Sequence, residues 1–216
     1  ALCLLSVQSL IAKDIYLSVN GVDTNNGLSE SGAVATLTKA LSLIEDGDNI
    51  RVSGIIDVSK EVSGIEGVAI PQMAFSIIGD SPSTSGFTGN GVTRIFNIDS
   101  NDKETQYKNL SFINGAQNQT KGSAVFIQNS RSVFTNCIFK NNIAVSCKGT
   151  VYLYTPNQVE FYDCIFTDNQ VQQGGAVFSE MRGKLVMDRC MITNCNLQSV
   201  ANSNGGGLQI LGIESF

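Results

Sequence analysis

Asp163, Asp168, Asp188 and Arg189 are the residues whose type and spacing come closest to a catalytic cluster. General acid–base cleavage of a glycosidic bond needs two carboxyls about 5–10 Å apart. Asp163, Asp188 and Arg189 meet that need only if separate stretches of chain lie side by side. A single Asp beside an Arg is more commonly a surface ion pair. Catalysis by these four is therefore the lesser reading, and a non-catalytic role the leading one.

The other reactive side chains narrow the choice. Histidine is absent, which removes His-dependent triads, His general bases and His-ligated metals. The run from Asp23 to Gly27 looks like a calcium loop but lacks a bidentate Glu at the required offset, and reads as a polar turn. Cys3 lies in the apolar leader; Cys137, Cys147, Cys164, Cys190 and Cys195 contain no CxxC pair, so no zinc site is expected. No metal and no cofactor is expected. An odd set of five leaves at least one thiol unpaired, and Cys137, Cys164 and Cys190 are expected to sit inside as small hydrophobes.

The elements that would position these residues follow from composition and repetition. Charged residues make up only 15% and hydrophobic ones 42%, enough apolar surface for a core. The net charge of -5 argues against a nucleic-acid surface. Four segments align: YKNLSFINGA (107–116), FTNCIFKNNI (134–143), FYDCIFTDNQ (161–170) and MDRCMITNCN (187–196). Their cores at Leu110, Cys137, Cys164 and Cys190 step by 27, 27 and 26 residues. Each is followed by a second strand-like run: GSAVFI, GTVYLY, GGAVFS and GGGLQI. The units lack helical 3,4 spacing and consist of short β-branched and aromatic runs punctuated by Asn, Asp and Gly. The expected fold is all-β: a right-handed parallel β-helix (β-solenoid) with coils of about 26 residues.

In such a stack, equivalent residues form rows. Phe112, Phe139 and Phe166 are expected inside, as are Tyr107, Phe134, Phe161 and Met187. Asn109, Asn136, Asp163 and Arg189 mark a bend in the left-handed backbone region, and Asn114, Asn141, Asp168 and Asn194 mark the next turn, with stacked amides bonding along the axis. Two rows are expected to point outward and to form a binding stripe: Phe126, Tyr152 and Phe178, and Ile138, Ile165 and Met191. A covering loop is an equal reading of these rows. Asn118, in a loop, is the expected glycosylation acceptor, while Asn109 carries a sequon at the bend.

Residues 1–13 open with an apolar run of 12 residues, too short to span a bilayer and read as the remnant of a signal peptide. Residues 14–47 are expected to hold an opening strand and a short N-terminal capping helix over 33–45, with Ala33, Leu37, Ala40, Leu41 and Ile44 on one face. Residues 48–216 are the coils, and LQILGIESF reads as a break within a strand.

The pairing of FxxN (Phe139 to Asn142, Phe166 to Asn169) with Gly174-Gly175-Ala176-Val177 resembles the repeats of the chlamydial polymorphic outer-membrane protein family. The stretch IYLSVNGVDTNNGLSES (15–31), followed by GDNIRV, is similar to the start of many secreted pectin-lyase-like β-helix proteins. The chain departs from the motif at Gly115, Ile192 and Cys195, and at GSAV, GTVY and GGGL. The resemblance implies a secreted or cell-surface protein with an adhesive, binding or structural role, its partner a surface protein or a polysaccharide. The alternative it leaves is a polysaccharide lyase or glycoside hydrolase of the pectin-lyase-like class.

Overall fold

The computed structural model describes residues 12–100, 102–116, 121–143, 146, 148–155, 157–180, 183–197 and 206–211. Every strand pair in it is parallel, and the strands stack into three long faces. The first face begins with Asp14–Ser18 and Asn49–Asp57 and continues through Phe75–Gly79, Glu104–Lys108, Arg131–Thr135, Gln158–Tyr162 and Lys184–Asp188. The far half of Asn49–Asp57 crosses a corner and starts the second face, of Ser85–Thr88, Ser111–Ile113, Ile138–Lys140, Ile165–Thr167 and Met191–Thr193. The third face runs Val68–Ile70, Phe96–Asp99, Val125–Gln128, Val151–Tyr154, Val177–Glu180 and Leu208–Leu211. The chain is an all-β parallel solenoid.

Register carries the aromatic rows into the core. Tyr107, Phe134, Phe161 and Met187 are direct cross-strand partners, as are Phe112, Phe139, Phe166 and Ile192. Rings within a row stack at 4.6–5.0 Å with interplanar angles of 13° or less. That separation is close to the spacing of neighbouring strands, so a ring on each coil falls over the ring below it. Between the rows the rings meet edge to face, as Phe112 and Phe134 do at 5.9 Å and 72°, the arrangement the ring quadrupole favours. Burying one such side chain is worth about 1.5–3 kcal/mol.

The corners use the expected residues. Asn109, Asn136, Asp163 and Arg189 have φ of 50–56°, and Asn114, Asn141, Asp168 and Asn194 have φ of 52–56°. A third corner, after the third face, places Ser100, Asn129 and Thr155 at φ 46–57°. Asn and Asp tolerate this region because their short polar side chains bond locally. Thr155 is β-branched and belongs there least; its hydroxyl donates to Asn129 Oδ1 at 2.7 Å.

The helix is shorter than the apolar spacing over 33–45 suggests, covering Leu37–Leu41. Its start is set by pairing: Val34 N–H donates to the Tyr16 carbonyl, and Ser18 N–H to the Val34 carbonyl, so 33–34 is extended backbone. Thr36 then caps the helix by accepting from Lys39 N–H at 3.1 Å. The Glu61 carboxylate accepts the first-turn N–H groups of Leu37 and Thr38, which have no partner within the helix, at 3.0 and 2.7 Å. Ala33, Val34, Leu37, Ala40 and Ile44 are buried, and Leu41 packs against them.

Candidate functional site

At the first corner, Arg189 stands where two coils below have Asn. Its Nε donates to Asp163 Oδ1 at 2.7 Å and its Nη2 to Asp163 Oδ2 at 2.9 Å, while Nη1 binds Asp188. The three side chains are exposed, and the hydrogen bond from Arg189 holds the Asp163 carboxyl below its ordinary range. Exposed pairs of this kind contribute little to stability, because water screens the attraction. Both carboxylates are thus already bound to one guanidinium. Asp168 lies at the following turn, where it accepts from Asn194 Nδ2 at 3.2 Å, so the structure does not bring all four residues together. One coil lower, the Asn136 amide donates to Asn109 Oδ1 at 2.9 Å, the stacked-amide bond expected of that row.

The two outward rows fare differently. Phe126, Tyr152 and Phe178 are cross-strand partners that point away from the core, while Val125, Val151 and Val177 point in. The aromatics are nevertheless only 2%, 6% and 0% exposed, which corrects their expected place on an accessible stripe. A second layer covers them. Lys121 Nζ lies 4.7 Å and the Arg94 guanidinium 5.4 Å from the Phe126 ring centre, and Lys148 Nζ lies 5.1 Å from that of Phe178. Such contacts let a cation keep its charge satisfied while its stem covers apolar surface. Arg94 is fully buried; it donates to Glu66 Oε2 at 2.8 Å and to the Gly122 carbonyl at 2.9 Å. The Tyr152 hydroxyl donates to Glu180, which also pairs with Lys148 at 3.1 Å. Gly149, at φ +67°, brings its backbone against Phe178, and a Cβ there would lie 2.9 Å from the Phe178 Cβ. Ile138 and Ile165 are half-buried on the second face, and Met191 is 55% exposed. Of the two expected binding rows, this one remains accessible.

The FxxN motif turns inward. Asn142 and Asn169 are 0% and 1% exposed. Asn142 Nδ2 donates to the Phe112 carbonyl at 3.0 Å, and Asn169 Nδ2 does the same to the Phe139 carbonyl at 2.9 Å. Asn142 Oδ1 accepts the Gly115 N–H at 2.7 Å. Each amide therefore satisfies backbone groups that would otherwise be buried and unpaired. Two of the departures from the motif, at Gly115 and Cys195, fit this ladder. A Cβ on Gly115 would meet the Ser123 carbonyl oxygen at 2.4 Å. Cys195 takes the Asn position in the last described coil, its thiol donating to the Phe166 carbonyl at 3.5 Å. Sequence reading picked out the motif without a role; the repeated spacing from a buried Phe was the signal for one.

Cys137, Cys164 and Cys190 stack at one position as free thiols, the first two fully buried and the third half-buried. Each donates to the carbonyl of a ring residue one coil below: Tyr107, Phe134 and Phe161, at 3.4–3.5 Å. Burial pushes the Cys137, Cys190 and Cys195 thiols up. The hydrogen bond with Cys137 holds the Cys164 thiol below its ordinary range, and its full burial leaves it, like Cys137, a packing group of the core. Among the described residues no cluster of three or more Cys, Asp or Glu is placed to hold a metal ion. Cys3, Cys147, the glycosylation candidate Asn118 and residues 1–11 of the segment 1–13 expected to be a signal-peptide remnant lie outside the described residues.

No family model matches the chain, and no curated protein or solved structure matches it. Among the described residues no helix is long and apolar enough to cross a membrane.

Proposed function

We propose that this chain is a right-handed parallel β-helix, secreted or displayed at the cell surface, with a non-catalytic adhesive, binding or structural role. In this reading its repeats are of the polymorphic outer-membrane protein type on a pectin-lyase-like scaffold, and the helix Leu37–Leu41 caps its first coils. The partner is a surface protein or a polysaccharide. One observation carries the proposal: the polar groups that recur from coil to coil are bound to their own neighbours. Asn142 and Asn169 hold buried backbone, and Asn109 and Asn136 bond each other. Asp163 and Asp188 share Arg189, and Asp168 takes Asn194. A stack built in this way is rigid, and what it offers outward is shape, together with the Ile138, Ile165 and Met191 row.

The test is to incubate the purified chain with polyuronate and neutral polysaccharides, with and without Ca²⁺, scoring both retention and release of new chain ends. The expected result is no new chain ends, with retention where a polysaccharide is the partner. Chain ends that appear, and disappear in Asp163→Ala or Asp188→Ala, would make the protein an enzyme and overturn the reading.

A further inference from the structure

Among the described residues the three faces end together, at Lys184–Asp188, Met191–Thr193 and Leu208–Leu211. No described strand pairs with the outer edges of these three. The inner rows come to the surface there. Ile192, Leu208 and Ile210 are 36%, 42% and 39% exposed, whereas Phe166, Val177 and Ser179, their cross-strand partners one coil below, are buried. Leu185 and Met187 continue the buried rows of Val159 and Phe161 and are half-buried. Apolar side chains and unpaired strand backbone thus coincide in one place, the two properties of a docking surface. The opposite end of the first face is shut. Ile15 and Leu17 are buried there, and the free edge of Asp14–Ser18 is taken by Gly27 and Val34, which bond Tyr16 and Ser18.

We propose that this end binds a second copy of the chain, tail to tail about a two-fold axis, with Lys184–Asp188 of each copy paired antiparallel. The shut first edge leaves a second copy only its own last strands as a matching open edge, so the contact is isologous. Antiparallel pairing centred on Val186 sets Leu185 opposite Met187 of the second copy on the inner side, and the apolar core continues across the joint. The same register sets Lys184 opposite Asp188 of the second copy on the outer side, once at each end of the strand pair. Both side chains are about half exposed, at 56% and 49%, and each has a partner on its own copy, Glu160 and Arg189. Like charges at the two strand ends would oppose this register; the opposite charges present there select it. A two-fold joint closes after two copies and leaves neither edge of Lys184–Asp188 open for further addition.

The experiment is analytical ultracentrifugation of the full chain over a wide concentration range, with hydrogen exchange read in parallel. The proposal expects a reversible monomer–dimer equilibrium, with amide exchange within Lys184–Asp188 slowing as the concentration rises. Lys184→Asp and Asp188→Lys each set like charges opposite one another, and each should weaken the dimer at least about tenfold. The two changes combined in one chain should restore it, and mixing the two single variants should give a heterodimer tighter than either homodimer. Within one copy the combined change restores no pair, since the reversed charges then face Glu160 and Arg189. Restoration therefore reads the contact between copies. Arg131→Asp, in the same outer row two coils below Lys184, should leave the dimer unchanged. A monomer at every concentration would overturn the proposal, whether the end is bare or, with its amides protected, covered by another segment of this chain. So would assembly beyond two copies, a dimer indifferent to both single reversals, or a combined variant that stays monomeric. Lys184 and Asp188 are both exposed, so circular dichroism should show every variant folded.

Discussion

Asn169 Oδ1 accepts both the backbone N–H and the side-chain Nδ2 of Asn142, each at 3.0 Å, in the buried interior of the solenoid. One side chain thus holds the backbone of the neighbouring coil at Phe139 and Asn142 together with that coil's own asparagine side chain. The bond repeats a contact geometry that no single coil could make alone, which is why the motif recurs at the coil period.

Replacing Asn169 with Ala should therefore cost more than its volume suggests. The change removes the acceptor of the Asn142 N–H and of one Asn142 Nδ2 hydrogen, and the side-chain donor to the Phe139 carbonyl, and a buried unpaired group costs about 1–3 kcal/mol. A loss of at least about 2 kcal/mol is expected from urea unfolding. Asn169→Asp keeps the acceptor but loses the donor to Phe139 and buries a charge, so its deficit should grow as the pH rises above the carboxyl range.

Glu180 links the covered aromatic row to acid stability. Burial alone would push its carboxyl up, but the hydrogen bond from Tyr152 and the ion pair with Lys148 outweigh it and hold the group below its usual range. A depressed folded-state value means stability that is present above the unfolded value, about pH 4.3, and lost as the pH falls through the folded one. Wild type should exceed Glu180→Gln in stability at neutral pH, with the gap narrowing below about pH 4. A gap constant from pH 3 to 7, in denaturant melts at stepped pH, would rule out this linkage.

Thiol labelling should separate the cysteines by depth. In the native chain Cys137 and Cys164 should resist an alkylating reagent, while Cys190 and Cys195, half-buried in the last described coil, should label faster. All four should label at similar rates in denaturant. Mass spectrometry of timed digests reads the order. Fast native labelling of Cys137 would contradict the stacked, carbonyl-bonded arrangement.

Much of the coil architecture is legible in local residue types. A positive φ at Asn109, Asn136, Asp163 and Asn194 follows from side chains that relieve the left-handed region, and the inward rows of Phe and Cys follow from two-residue alternation between those corners. Arg189 at φ 51° has no such local reason; its place comes from register with Asp163 and the bidentate bond made there. The covered state of Phe126, Tyr152 and Phe178 was not legible, because alternation reports only which side of a strand a residue takes. Whether that side meets water depends on Lys121, Lys148 and Arg94, which arrive on other segments. The helix was overestimated for a related reason: apolar spacing over 33–45 is compatible with a helix, but pairing of Val34 with the first strand claims its beginning.

By itself the sequence determined the period, the corners and the inward rows, since these depend on backbone preference and side-chain alternation within one coil. Only the tertiary structure decided what lies over the outward aromatics, that the FxxN asparagines form a buried ladder, and that the inner rows surface at Ile192, Leu208 and Ile210. Those relationships depend on segments a coil or more apart in sequence. They arise when stacking brings the coils together, because hydrogen bonds and charges act over distances in space that a local reading of the chain does not measure.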